Sequence, residues 1–111
     1  MQVENRKIGE ITIVKIPESV DNANAGVVET ELVELIKGGI GKLACDLSGN
    51  TYVSSAGLRA FMEAYNAIEE KGGKMAIFGL TEIVYEVFDI TGFTDVFPIV
   101  EDEQAALAAL K

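Results

Sequence analysis

Histidine is absent from this 111-residue sequence, which has one cysteine, Cys45, and only 9 lysines and arginines against 18 acidic residues. Without histidine, the Ser-His-Asp and Cys-His catalytic arrangements and most zinc sites are excluded, so catalysis is disfavoured. The lone cysteine cannot form an internal disulfide, and its apolar neighbours suggest a small buried side chain in a reducing compartment. The formal net charge of −9 argues against nucleic acid or an anionic membrane as a partner.

Long apolar segments are missing as well. The opening MQVENRKIGE has no apolar run of signal-peptide length, and no segment approaches the ~20 apolar residues that cross a bilayer. We therefore expect a cytoplasmic protein. The composition, 49% hydrophobic and 24% charged, is typical of a chain with a packed core, and the length suits a single domain, residues 1–111.

Alternating and helically spaced apolar residues predict the element order β-β-α-β-α-β-α-β-α. The predicted strands are 2–7, 10–16, 42–47, 74–80 and a weak edge strand at 96–100, and the predicted helices are 25–37, 55–70, 81–90 and 101–110. PESVDNANAG, residues 17–26, is expected to be a loop that leads into the first helix, and SGNT, residues 48–51, a turn. On the third helix, Ile83, Val84, Val87 and Phe88 are expected to point inward. This order implies an α/β fold, a mixed sheet of about five strands with helices packed mainly on one side.

Two polar features other than the serines bear on function. The glycine-rich KGGIGK, residues 37–42, lacks the spacing of a phosphate-binding loop, and it leads from helix to strand, the reverse of a phosphate cradle. No cofactor and no metal site are predicted. Asp46 ends a buried strand at the sheet edge where sites usually form in open α/β sheets, but the simpler interpretation is that it holds the amides of the following loop.

Two adjacent hydroxyls, Ser54 and Ser55, stand where a helix begins, and two small residues follow them. One serine is expected to cap the helix. The other would be exposed at the positive end of the helix dipole, a position that suits a phosphate. The residues themselves leave three interpretations open: caps alone, a phosphorylation switch, or a nucleophilic Ser55 with Lys42 or Lys74 as its base.

The stretch LACDLSGNTYVSSAGLRAFMEAYNAIEEKGGKMAIFGL, residues 43–80, resembles the core of the STAS domain, as in the anti-sigma factor antagonists. Those proteins carry a strand ending in Asp-Leu, then Asp-Ser-[Ser/Thr/Ala]-Gly-Leu, a helix, and a Gly-Gly turn into the next strand. VFDITGF, residues 87–93, resembles their Leu-Phe-Asp-x-[Ser/Thr]-Gly-[Leu/Phe] segment, and the alanine-rich end resembles their last helix. The resemblance runs over nearly the whole chain.

The resemblance also implies site residues. The family's phosphorylated serine lies two residues before the motif glycine, which matches Ser55 here. Ser54 stands where the family most often has Asp, and it is the alternative site. Arg59, at a position where a second glycine is common, can pair with a phosphate on Ser55. The implied partner-binding residues are Asp21, Asn22, Ser54, Ser55, Ala56, Gly57, Leu58 and Arg59.

The function that the resemblance implies is partner switching by a binding module that is not itself an enzyme. Unphosphorylated, the protein would bind an anti-sigma factor that is also a serine kinase, and the sigma factor would be released. Phosphorylation of Ser55 would end that binding, and a serine phosphatase would restore it. The alternative is a STAS scaffold or sensor module that regulates another partner, such as a stress complex or a transporter, without phosphorylation.

Overall fold

The computed structural model describes residues 3–111. Its strands are β1 (Glu4–Ile8), β2 (Ile11–Lys15), β3 (Ser19–Val20), β4 (Lys42–Asp46), β5 (Tyr52–Val53), β6 (Lys74–Phe78) and β7 (Ile99–Val100). Its α-helices are α1 (Ala25–Lys37), α2 (Ser55–Glu70), α3 (Glu82–Ile90) and α4 (Glu103–Ala109), with a 3₁₀ turn at Phe93–Asp95. The predicted α/β order is confirmed, and the two short strands β3 and β5 are additions to it.

Five strands form one mixed sheet in the order β1-β2-β4-β6-β7. β1 and β2 are an antiparallel hairpin that closes at the Ile8–Ile11 pair, where Gly9 adopts a φ of +62°. The other neighbours are parallel, so a helix returns the chain to the amino edge of the sheet before each new strand. The carboxyl ends of β2, β4 and β6 therefore lie together at one edge, and the loops that follow them meet there.

The sheet is covered unequally on its two faces. The larger core lies against α1, α2 and α3, and its fully buried side chains include Val14, Leu32, Cys45, Phe61, Ile77 and Phe88. The smaller core lies under α4 and comprises Ile11, Ile13, Ala44, Ala76, Phe78, Ala106 and Leu110. Small alanines on β4 and β6 let the short α4 lie close to the strands. Three of the four helices thus share one face, as predicted.

The sequence did not predict the strands β3 and β5. β3 lies inside the segment predicted as a loop after β2, and β5 lies between the turn predicted at 48–51 and α2. They pair in parallel as a separate small sheet, Ser19 with Tyr52 and Val20 with Val53. Each strand has two residues, too few for the period-two alternation by which a strand is recognised in a sequence. Their pairing brings the loop after β2 next to the loop after β4.

The inward face of α3 also differs from the prediction at one residue. Val84 and Phe88 are buried, but Ile83 is 70% exposed. The centroid of the Phe88 ring lies 6.2 Å from that of Phe61 on α2 and 6.1 Å from that of Phe97. This packing fixes the rotation of α3 about its axis. Ile83 lies outside that contact.

The last strand is shorter than predicted. The sequence predicts strand at 96–100, whereas β7 contains only Ile99 and Val100. The chain is still in a 3₁₀ turn at Phe93–Asp95, and Pro98 has no N–H to donate to a neighbouring strand.

In the part of the chain that the structure describes, no helix has both the length and the apolar character that crossing a bilayer requires.

Candidate functional site

The two serines have different roles at the start of α2. Ser54 is the N-cap: its backbone is extended, with φ −80° and ψ 174°, and its Oγ accepts a hydrogen bond from the backbone N–H of Gly57 at 3.2 Å. Its own N–H donates to the carbonyl of Val20 at 2.8 Å, which ties the cap to β3. The hydroxyl and amide of Ser54 are therefore both used in holding the helix start in place.

Ser55 is the first residue of α2, and it is exposed. No hydrogen bond from its side chain is found to any residue in the described range 3–111. The first turn of a helix also leaves backbone N–H groups without intrahelical partners, and its dipole favours negative charge. Ser55 therefore presents a free hydroxyl at the end of a helix that electrostatically accommodates an anion.

Gly57 allows α2 to start as close to the small sheet as it does. A Cβ on Gly57 would lie 2.8 Å from a methyl of Val20 and 2.8 Å from a methyl of Val53, well inside van der Waals contact. The glycine is thus required by close packing, because a side chain there would push the helix start away from β3 and β5. The position of Ser55 relative to both loops depends on that contact.

The loop before α1 is held by a reciprocal pair of side chains. The Asp21 Oδ1 accepts hydrogen bonds from the N–H groups of Ala23 and Asn24 at 2.9 and 3.1 Å. In return, the Asn24 Oδ1 accepts the N–H of Asp21 at 2.8 Å, and the Asn24 amide donates to the Ser19 carbonyl. The exposed Asn22 lies two residues after β3, whose Val20 carbonyl accepts the N–H of Ser54.

Asn50 is a site residue that the sequence analysis missed, because it lies in the segment read as a turn. It is fully buried, and its amide nitrogen donates to the carbonyl of Pro17 at 2.8 Å and to that of Tyr52 at 3.1 Å. One side chain thus joins the loop after β2 to the strand that leads into Ser54. An asparagine between apolar strands is the only signal in the sequence that could have indicated this role.

The other partner-binding residues predicted from the sequence are distributed between surface and core. Arg59 is exposed and forms no ion pair with any residue of the described chain, and Ala56 is partly buried. Leu58 is buried in the main core, so it supports the surface from beneath. The structure therefore brings Asn22, Ser55 and Arg59 to the surface at this end, with Asp21 and Ser54 engaged in the loops around them.

Asp46 and Cys45, at the end of β4, have structural roles. The Asp46 Oδ1 accepts a hydrogen bond from the N–H of Ser48 at 2.9 Å. Asp46 thus holds the loop after β4, which is one of the two roles that the sequence allowed. Cys45 is completely buried, and burial, with a smaller contribution from the neighbouring Asp46 charge, raises the pKa of its thiol to about 12. The thiol is thus neutral and inaccessible at neutral pH.

Neither lysine suggested as a base for Ser55 is near it. Lys42 and Lys74 are register partners in the first positions of β4 and β6, at the amino edge of the sheet. Ser55 follows β5 at the carboxyl edge, and a five-residue strand spans about 13 Å. The interpretation of Ser55 as a nucleophile with a lysine base is therefore wrong. No group of three or more metal-ligating side chains is found within residues 3–111.

Comparisons with known proteins identify the family of the chain. The STAS domain family matches residues 2–106. The chain is 33% identical over 111 residues to BtrV of Bordetella bronchiseptica, named as a candidate anti-sigma factor antagonist, and the match covers 100% of this chain and 96% of that protein. It is 31% identical over 86 residues to the anti-sigma-B factor antagonist of Bacillus subtilis, covering 78% of each.

A solved structure shares the fold over almost its whole length. The crystal structure of an anti-sigma factor antagonist from Mycobacterium paratuberculosis superposes with a TM-score of 0.88 at 18% sequence identity. The match covers 98% of this chain and 92% of that one. At that identity the likeness concerns the fold, and the arrangement of strands and helices described above is the one that the two chains share.

Proposed function

Because the chain belongs to the STAS domain family, we propose that it is an anti-sigma factor antagonist that acts by partner switching. The observation that carries the proposal is the division between the two serines. Ser54 caps α2, which leaves the Ser55 hydroxyl exposed and uncommitted at the positive end of a 16-residue helix. A kinase can reach that hydroxyl without unfolding anything, and the fold tolerates a phosphate on it.

In this proposal the unphosphorylated protein binds an anti-sigma factor that is also a serine kinase, in the cytoplasm, and the sigma factor is released. The contact surface contains Asn22, Ser55 and Arg59, supported by Asp21 and Gly57. The bound kinase then transfers the γ-phosphoryl group of ATP to the Ser55 Oγ. The hydroxyl proton passes to a base on the kinase, and ADP leaves. The chain is a substrate and a binding module, and the catalytic groups belong to its partners.

Phosphorylation changes the surface more than the fold. A phosphate on Ser55 adds roughly −1.5 to −2 charges. Arg59 lies one turn further along α2, at the i+4 position, where its guanidinium can pair with that phosphate. The modified residue is thus satisfied within the free protein, but the docked surface would have to accommodate new charge and volume. A coupling of about 3 kcal/mol weakens binding more than a hundredfold, so no large rearrangement is needed.

The experiment that tests the proposal incubates the purified protein with ATP and lysate of its own host, followed by phosphate mapping by peptide mass spectrometry. We expect phosphate on Ser55 in the wild type and in Ser54→Ala, and none in Ser55→Ala. The Ser54→Ala variant is the matched control, because it removes the neighbouring hydroxyl and keeps Ser55. Addition of a serine phosphatase should remove the phosphate.

Two other results would change the proposal. Phosphate on Ser54 alone would keep the switch and move its site by one residue. Absence of phosphate on both serines, in a lysate that phosphorylates an added anti-sigma factor antagonist of known activity, would contradict the proposal. The scaffold or sensor function would then be the better interpretation, and a Ser55→Asp variant that leaves all partner affinities unchanged would agree with it.

A further inference from the structure

An apolar stripe runs along one flank of α3. Ile83 and Ile90 are 70% and 79% exposed, and Val87, which lies between them, is partly buried against the main core. The three residues are spaced i, i+4 and i+7, so they share one side of the helix over about 10 Å. This spacing is typical of the anchor residues by which a helix binds in an apolar groove. We call these three residues the α3 stripe.

The helix that carries the stripe is held firmly from its other side. Val84 and Phe88 are buried, and the Phe88 ring packs between those of Phe61 and Phe97. The Thr81 hydroxyl caps the first turn by accepting the N–H of Val84 at 3.4 Å. The stripe is therefore presented by a fixed helix, and a partner would not have to order it on binding.

The stripe begins at the same edge of the sheet as the serine site. α3 follows the carboxyl end of β6, and it packs beside β5, the strand that leads directly to Ser54 and Ser55. The connection is tight, because a Cβ on Gly79, just before α3, would lie 3.1 Å from Ser48 in the loop after β4. A partner large enough to be a kinase, docked at Ser55, would therefore reach α3.

The charge around the stripe is of one sign. The other outward residues of α3 include Glu82, Glu86 and Asp89, and none of them forms an ion pair in the described structure. Residues 75–110 contain no lysine or arginine at all. A second copy of this chain would place like charges against each other, and an anionic membrane would be repelled. The surface fits a partner whose apolar groove has a basic rim.

We infer that the α3 stripe binds an apolar, basic-rimmed groove on the same anti-sigma factor that phosphorylates Ser55. The inference rests on the proposed function and extends it, because the docking surface then includes a helix remote in sequence from the serines. Ser55 carries the switch, and the α3 stripe supplies affinity that the phosphate does not directly touch.

The test uses the full chain and, as probe, the host kinase that phosphorylates wild-type Ser55, purified without its sigma factor. Its binding to the double variant Ile83→Ser/Ile90→Ser is compared with wild type by titration calorimetry. We expect the dissociation constant to rise roughly thirtyfold, since two isoleucine side chains lose their burial. The KM for phosphorylation of Ser55 should rise with an unchanged kcat, because the stripe contacts neither Ser55 nor ATP.

Tyr85→Ser is the matched control. Tyr85 is also an exposed apolar residue of α3, at 46%, but it lies on the other flank of the helix, and its replacement should change affinity less than twofold. An equal affinity of wild type and double variant would overturn the inference and leave the proposed function intact. The same conclusion would follow if wild type sedimented as a dimer and the double variant as a monomer, because the stripe would then bind a second copy of this chain. Failure of the kinase to bind wild type would overturn both.

Discussion

The backbone N–H of Gly57 donates to the hydroxyl of Ser54 at 3.2 Å, across the first turn of α2. The cap and the glycine are thus one unit. The hydrogen bond sets where the helix begins, and the absence of a side chain on the glycine sets how closely that beginning approaches β3 and β5. Ser55, between them in sequence, takes part in neither contact and is left exposed.

The two serines should therefore differ in their effect on stability. Ser54→Ala removes the cap and should lower the free energy of unfolding by about 1 kcal/mol. Ser55→Ala removes an exposed hydroxyl without a partner and should change it by less than about 0.5 kcal/mol. Urea unfolding followed by circular dichroism measures both. Equal losses in the two variants would contradict the assignment of Ser54 as the cap.

Replacement of Gly57 by alanine should be costly. Two valine methyls lie 2.8 Å from the position of the added Cβ, so the helix start or the small sheet must move, and we expect a loss of about 1–3 kcal/mol. Gly26→Ala on α1 is the matched control. No atom outside its chain neighbours and its own turn of helix lies within 4 Å of the added Cβ, and the substitution should stabilise the protein by roughly 0.5–1 kcal/mol. Similar thermal shifts for both variants would contradict the close packing at Gly57.

Asn50→Ala should destabilise the protein by about 1–3 kcal/mol, because the carbonyls of Pro17 and Tyr52 lose the donor of two partly buried hydrogen bonds. Asn66→Ala, at an exposed position of α2, removes the same side chain without such partners and should cause no loss. Equilibrium urea unfolding of the two variants provides the comparison. The prediction is wrong if Asn50→Ala is as stable as wild type.

Stability should fall in alkaline solution through Cys45. The folded state raises the pKa of the thiol from 9.0 to about 12, so the unfolded chain releases this proton first as the pH rises. The contribution of the buried neutral thiol is complete below pH 9 and is lost between pH 9 and 12. Urea midpoints measured across that range should fall less steeply for Cys45→Ala than for wild type. Parallel slopes would contradict the assignment.

The long elements could be predicted from the sequence because each repeats its pattern several times. The helix predicted at 25–37 is α1, with the same bounds, and 42–47 contains β4. The sequence could not indicate which side of α3 faces the core, because Ile83 and Val84 each have apolar residues at helical spacing after them. The rings of Phe61 and Phe97, distant in sequence, decide which of the two is buried.

At the site, the sequence indicated the serine pair and the loop before α1 but not the bonds that distinguish their members. Ser54 is the cap because its backbone is extended. The sequence allows that conformation for either serine, so it could not indicate which of them caps the helix. The role of Asn50 depends on a carbonyl 33 residues away, at Pro17. Such contacts follow from the pairing of β3 with β5. That pairing could not be predicted, because strands of two residues leave no alternating pattern in the sequence.

The small sheet of β3 and β5 should open locally more often than the main sheet. Its two pairs, Ser19 with Tyr52 and Val20 with Val53, are a short ladder beside the long strands of the main sheet. Local opening there should require far less free energy than global unfolding, so its amides should exchange with deuterium much sooner than those of β4. A partner bound over the ladder would slow that exchange. The exchange rate of these few amides thus reports whether the surface is occupied, in a protein that needs no attached dye or tag.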